Sequence, residues 1–141
     1  MANIAAAANA WSPRILSIVR LMTALLLLQH GTQKFFNFPP RDTPRPYELM
    51  TLSPGLAGIL ELFGGLLLLF GLFTRPVAFV LSGFCAFAYW MAHAPRSFYP
   101  ILNGGDAAVL FCFILLYIAF AGGGPWSIDA MMRGRRRGRA R

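Results

Sequence analysis

Charge is what this chain has least of. Only 13% of its 141 residues are charged, and five residues are acidic, where an ordinary soluble domain carries about 25% charged residues. Its apolar share of 57% exceeds the usual value of about 45–50%, and the two figures together exclude a typical soluble globule. Disorder is excluded as well, because a disordered chain needs low hydrophobicity and this one has 13 Phe, 3 Trp and a mean hydropathy of +0.56. Cysteine is scarce. Cys85 and Cys112 each sit inside an apolar run, with no CxxC, CxxCH or paired-His spacing, so no metal site, haem attachment or redox dithiol is legible and a disulfide framework is ruled out. The net charge of +8 is no nucleic-acid signature, since Arg133, Arg135, Arg136, Arg137, Arg139 and Arg141 crowd the last nine positions and the remainder is nearly balanced.

What the sequence does have is long apolar runs, at 15–35, 55–73, 77–94 and 107–124. Each approaches the roughly 20 residues a helix needs to cross a bilayer. They lack the period-2 alternation of membrane strands and are about twice as long as such strands. The expectation is an all-α membrane protein, a four-transmembrane-helix antiparallel bundle over residues 14–129, with a segment 1–13 before it and an Arg-rich tail 130–141 after it. Punctuation agrees. Pro39, Pro40, Pro44, Pro46 and Pro54 fill the first connection and Pro95 and Pro100 the third, and proline does not continue a helix. The connection Thr74-Arg75-Pro76 is so short that it makes the second and third helices a hairpin. Asn103 is placed to cap the fourth helix, with Asp106 in its first turn.

Basic residues near helix ends favour the cytoplasm. Arg14, Arg75 and the six tail arginines stand on one side against Lys34, Arg41, Arg45 and Arg96 on the other, eight to four. Both termini are therefore expected on the cytoplasmic face of the inner membrane, with the tail on anionic headgroups. A cleaved signal peptide is the rival reading of the first 30 residues, but Gln29-His30-Gly31 offers no small-x-small site.

In that topology His30, Lys34, Glu61, His93 and Asp106 converge on the outer half of the membrane, with Glu61 roughly 9 Å inside its run. Arg20 alone lies deep on the opposite side, where it would snorkel to headgroups or meet a tail acid. Helical spacing puts Arg20, Thr23, Leu27, His30 and Lys34 on one stripe and Ser82, Cys85, Tyr89, His93 and Arg96 on another. Gly64 and Gly65 give the second helix a face that a neighbour can approach closely. Each residue also has a plain reading: Lys34 and Arg96 as interfacial anchors, His30 and His93 as satisfied interior histidines or a bis-His haem pair, Cys85 and Cys112 as inert thiols at similar depth. Glu61 is hardest to set aside, because a buried carboxylate is costly unless paired or protonated. At the cytoplasmic end Arg75 is expected to pair with Asp129, with Trp126 at the interface.

These residues fall into recognisable blocks: His30-Gly31 with Lys34-Phe35, Glu61-Leu62-Phe63-Gly64-Gly65-Leu66 followed by Gly71-Leu72-Phe73-Thr74-Arg75-Pro76, Asn103-Gly104-Gly105-Asp106-Ala107, and Trp126-Ser127-Ile128-Asp129. From about Arg14 to Asp129 the chain resembles the DoxX family of small four-helix membrane proteins. That family usually shows Glu where Asp106 stands, and the arginine tail is outside its pattern. The resemblance implies quinone-linked redox chemistry, as in small subunits of thiosulfate:quinone oxidoreductase, or a place in membrane assemblies that handle oxidative stress. His30, Glu61 and Asp106 would then be the catalytic acid–base groups, with Lys34, His93 and Tyr89 against a quinone headgroup and Gly64, Gly65, Arg75, Asn103, Trp126 and Asp129 structural. No cofactor is expected in the chain itself beyond a possible bound quinone. Its partners are expected to be lipid and other membrane subunits, and the alternative is a non-catalytic assembly or anchoring subunit.

Overall fold

Alanine occupies positions 5–8 and 10 and is the strongest helix former, so the first helix, α1, starts well before its apolar run and spans Ala2–Phe36. The segment 1–13 set apart above is thus helical from Ala2 and continuous with the first span, passing through Pro13. At about 1.5 Å per residue α1 is roughly 52 Å long, well beyond a hydrocarbon core of about 30 Å. Every residue from Asn3 to Ile15 is exposed, and packing begins at Leu16. The structure, a computed structural model, describes residues 2–43 and 46–139. Pro44, Arg45 and Arg141, on which expectations above rest, lie outside the described residues.

Helix α2 covers Leu52–Phe70 and α3 covers Thr74–His93. The start of α2 is set by Thr51, whose hydroxyl accepts from the Gly55 amide at 3.2 Å, while Ser53 stays extended. Its end is set by Gly71, at φ +66°. That left-handed residue is cheap only for glycine and lets the chain reverse within three residues. Pro76 falls in the first turn of α3, where its missing amide costs little. After a one-turn helix at Pro100–Asn103, α4 spans Asp106–Ala121, and Gly122, at φ +93°, stops it. A last helix, α5, runs Ile128–Arg139, so the expected boundary at 130 falls inside an ordered element.

Among the described residues three helices, α1, α2 and α3, are long and apolar enough to cross a membrane, while α4 is an apolar helix of 16 residues. These long apolar helices make the chain a multi-pass membrane protein. α4 lies along α3, and α1 packs on α2. The core between them is Ala24, Leu27, Leu68, Ala78, Leu81, Leu115 and Ile118. Gly65 turns toward Leu28 and the Ala24 carbonyl of α1, and Gly64 toward Leu81 of α3, so the adjacent glycines serve different neighbours. Phe63, Phe70, Phe79, Phe113 and Phe120 point outward, each more than half exposed, as expected of a surface solvated by lipid chains.

Candidate functional site

Gly31 brings α1 and α2 into backbone contact: a Cβ there would stand 2.7 Å from the Leu62 nitrogen. One turn on, Lys34 meets Glu61. Its Nζ lies 2.5 Å from Glu61 Oε2, with the two side chains 10% and 11% exposed. This is the pairing with α1 that the cost of a buried carboxylate requires. Glu61 also sits in a widened turn, Leu60–Gly64, where α2 takes π geometry. Such turns insert one residue into a helix and are frequent at functional sites.

Another widened turn, Tyr89–His93, ends α3 and is closed by the Ala94 amide on the Tyr89 carbonyl at 2.9 Å. It presents His93, whose Nδ1 is 3.1 Å from the Asn103 carbonyl. Because a carbonyl only accepts, Nδ1 carries the hydrogen and Nε2 is the acceptor nitrogen of the neutral ring. Asn103 does not cap α4. Its side chain is buried and ties the preceding loop instead, donating to the Ser97 carbonyl at 2.8 Å and to Tyr89 Oη at 3.3 Å and accepting from the Gly105 amide at 2.7 Å. Gly105, not Asn103, precedes the first residue of α4.

Between these elements lies a cavity of about 300 Å³. Leu27, Phe84, Phe87, Met91 and Phe111 give it apolar walls, and Lys34, Glu61, His30 and His93 supply its ionisable groups. His30 is also edge-on to Phe111, with ring centroids 6.1 Å apart. Cys85, read above as an inert thiol on the stripe with His93, lines the cavity, as does the stretch Leu52-Ser53 at the start of α2, which carries no sequence signal. Two candidates fall elsewhere. Tyr89 does not line the cavity, because its hydroxyl is held by Asn103 and donates to the Phe98 carbonyl at 3.1 Å. Asp106 has the expected depth but points away, exposed, while Ala107 and Ala108 line the cavity.

At the far end of the bundle the arrangement corrects two expectations. Arg20 neither snorkels nor meets an acid. It is 0% exposed, and its guanidinium donates to four main-chain carbonyls: Leu68, Leu69 at 2.7 Å, Gly123 at 2.9 Å and Trp126 at 2.7 Å. The first two belong to the last turn of α2, where the helix dipole favours a cation. Nor does Arg75 pair with Asp129. Arg75 donates to the carbonyls of Ala119 and Phe120, at 3.3 and 2.6 Å, and so caps the end of α4. The Asp129 carboxylate accepts from the amides of Phe73 and Thr74, at 3.0 and 2.8 Å, which are orphan donors at the start of α3. Partial burial opposes its charge, but those amide bonds and the nearby Arg133 outweigh it and hold the carboxyl below its ordinary value. Trp126 is half exposed.

Long apolar helices with an apolar-walled cavity between them define an all-α integral membrane protein. Comparison with known proteins narrows the class. A model of the DoxX family matches residues 15–94, more than half of the chain. The chain is 37% identical over 122 residues to an "Uncharacterized protein" of Haemophilus influenzae, covering 84% of this chain and 91% of the relative. It is 30% identical over 162 residues to an "Uncharacterized membrane protein Rv3486" of Mycobacterium tuberculosis, covering 92% of each. No solved structure matches. The chain belongs to the DoxX family, and Lys34, Glu61, His30 and His93 all fall within the matched residues.

Proposed function

We propose that the protein is a four-span membrane subunit that holds a quinone headgroup in the cavity between α1, α2, α3 and α4, as an accessory component of a quinone-linked oxidoreductase. One observation carries the reading: an apolar-walled cavity into which an ammonium, a carboxylate and two imidazoles converge. Apolar walls with a few convergent polar groups are the usual form of a small-molecule site. A flat ring bearing two carbonyls fits that lining, since Lys34 and His30 offer donors and the phenylalanines offer faces. A bound quinone would supply two-electron, two-proton redox chemistry. This chain's part is to orient the ring, exclude water with Phe84, Phe87 and Phe111, and hold protons at Glu61 and His93. Electrons come from a partner subunit.

In this reading α4 completes the fourth span together with the turns at its two ends, and both termini face the cytoplasm, because basic residues near helix ends favour that side eight to four. The arginine-rich end then meets anionic headgroups. A periplasm-active reporter fused after Arg141 should be silent and one fused after Arg41 active.

The ligand is tested with a short-chain benzoquinone analogue added to the purified protein in mild detergent. Saturable binding is expected, weakened about tenfold by Glu61→Gln and abolished by Ala108→Phe, which fills the cavity. Absence of binding to the wild type refutes it. A second reading, a non-catalytic assembly subunit, draws on the mutual satisfaction of Lys34 and Glu61, which alone would clasp α1 to α2. It is favoured if Glu61→Gln leaves a copurifying partner's activity intact.

A further inference from the structure

The quinone reading leaves unused the end of the bundle that carries α5. Here Ser17 Oγ accepts from the Trp126 amide at 3.2 Å, which ties the base of α1 to the loop before α5. A hollow of about 420 Å³ opens beside this contact, lined by Pro13 and Leu16 of α1, Ala121 at the end of α4, Pro125 of the loop, and Ala130 and Arg133 of α5. A second hollow, about 170 Å³, adjoins it along α5 and is lined by Asp129, Met132, Arg133 and Arg136. Arg133 belongs to both. Three residues apart on one helix, Arg133 and Arg136 share a face.

Charge decides what suits this surface. Both arginines are exposed, and neither lies within ion-pair distance of a carboxylate among the described residues. The one acid beside them, Asp129, already accepts from the amides of Phe73 and Thr74. At the same level Arg14 lies over its own Trp11 ring, 5.2 Å from the centroid, and does not line either hollow. The larger hollow, with Pro13, Leu16 and Pro125 on its wall, thus shares Arg133 with one lined by two guanidiniums that meet no carboxylate within ion-pair distance among the described residues. Arginine binds phosphate through paired N–H donors in a fixed fork, and an apolar groove alongside accommodates hydrocarbon. We propose that α5 and the base of α1 form a discrete site for one anionic phospholipid, its phosphate on Arg133 and Arg136 and an acyl chain over Pro13, Leu16 and Pro125. This rests on the reading that the arginine-rich end meets an anionic membrane surface, and replaces a diffuse attraction with a single seat.

The test uses the full chain with Trp11 and Trp90 changed to Phe, so that Trp126, next to Pro125, is the sole indole. Phosphatidylglycerol or phosphatidylcholine brominated in the acyl chain is titrated into detergent micelles. Brominated phosphatidylglycerol should quench Trp126 at a several-fold lower mole fraction. Arg133→Gln with Arg136→Gln should remove the preference, whereas Arg14→Gln should keep it. Ala130→Leu keeps every charge but narrows the groove, and it too should lose the preference. If Ala130→Leu retains it, the attraction is diffuse and the discrete site is wrong while the surface reading stands. If the wild type shows no preference, both are wrong. Glycerol phosphate should not displace the brominated lipid; displacement as complete as by unlabelled phosphatidylglycerol would make this a phosphate site and overturn the lipid assignment.

Discussion

The two ends of this bundle bury charge by opposite means. Around Arg20 every partner is a main-chain carbonyl, and four of them engage four of the five N–H donors of the guanidinium. Around Glu61 the partner is one side chain, Lys34, and the pair borders a cavity that also holds two histidines. A charge buried with nearly all its donors on the main chain fastens elements together and has little left to offer a ligand. A charge with one partner and an open side retains lone pairs and protons for something that enters. Burial alone does not separate structure from function here; the unspent hydrogen-bonding capacity beside the charge does.

Breaking the Arg20 end should have the largest effect. Arg20→Leu removes the donor that four main-chain carbonyls share, although Leu68 still accepts from the Gly71 amide, and should cost about 3–5 kcal/mol, read as a collapse of the thermal midpoint in detergent. Arg20→Lys should recover less than half of it, because an ammonium cannot span four acceptors in a fixed fork. If the lysine variant is as stable as wild type, the geometry of the guanidinium is irrelevant.

The open end should respond less in stability and more in ligand binding. A cycle of Lys34→Met and Glu61→Leu should give a coupling of about 1–2 kcal/mol, and both single variants should lose the quinone analogue. A coupling as large as the whole Arg20 effect would show that this pair too is a fastener.

Smaller still is the contribution of Asp129, about 1 kcal/mol on replacement by Ala, typical of a lost helix cap. Because its carboxyl is held below its ordinary value in the folded protein, the stabilisation is complete above the unfolded value near pH 4. It fades as the pH falls through the lower folded value. The stability gap between wild type and Asp129→Asn should therefore narrow between pH 7 and pH 3. Least of all, Arg75→Gln should cost about 0.5–1 kcal/mol, and the exchange Arg75→Asp with Asp129→Arg should rescue nothing, since the two side chains serve different helices. Rescue by that exchange would restore the ion pair that the structure replaces.

Side-chain patterns made the apolar helices readable, along with the depth at which Lys34, Glu61, His30 and His93 gather. Those patterns are silent about main-chain partners, and that is where Arg20, Arg75, Asp129 and Asn103 found theirs. An arginine that caps the end of another helix has no complementary residue to search for. Depth also differs from direction. Asp106 has the right depth on the wrong face, and Tyr89 is held outside the cavity by the loop, through hydrogen bonds of its hydroxyl to Phe98 and Asn103.

The widened turn at Leu60–Gly64 has a further consequence. Successive residues of a helix are offset by about 100°, so one residue inserted into regular winding would rotate everything on one side of it; a widened turn absorbs that residue and keeps the faces on its two sides aligned. Deleting one residue of the turn other than Glu61 would restore regular winding, keep α2 apolar and nearly as long, and leave the flanking faces where they are, so that only the residues of the turn itself shift. A lineage could thus lose the widened turn in one step while still inserting, folding and packing, which makes the length of this one segment a marker for which relatives keep the turn that carries Glu61 and which keep only the scaffold.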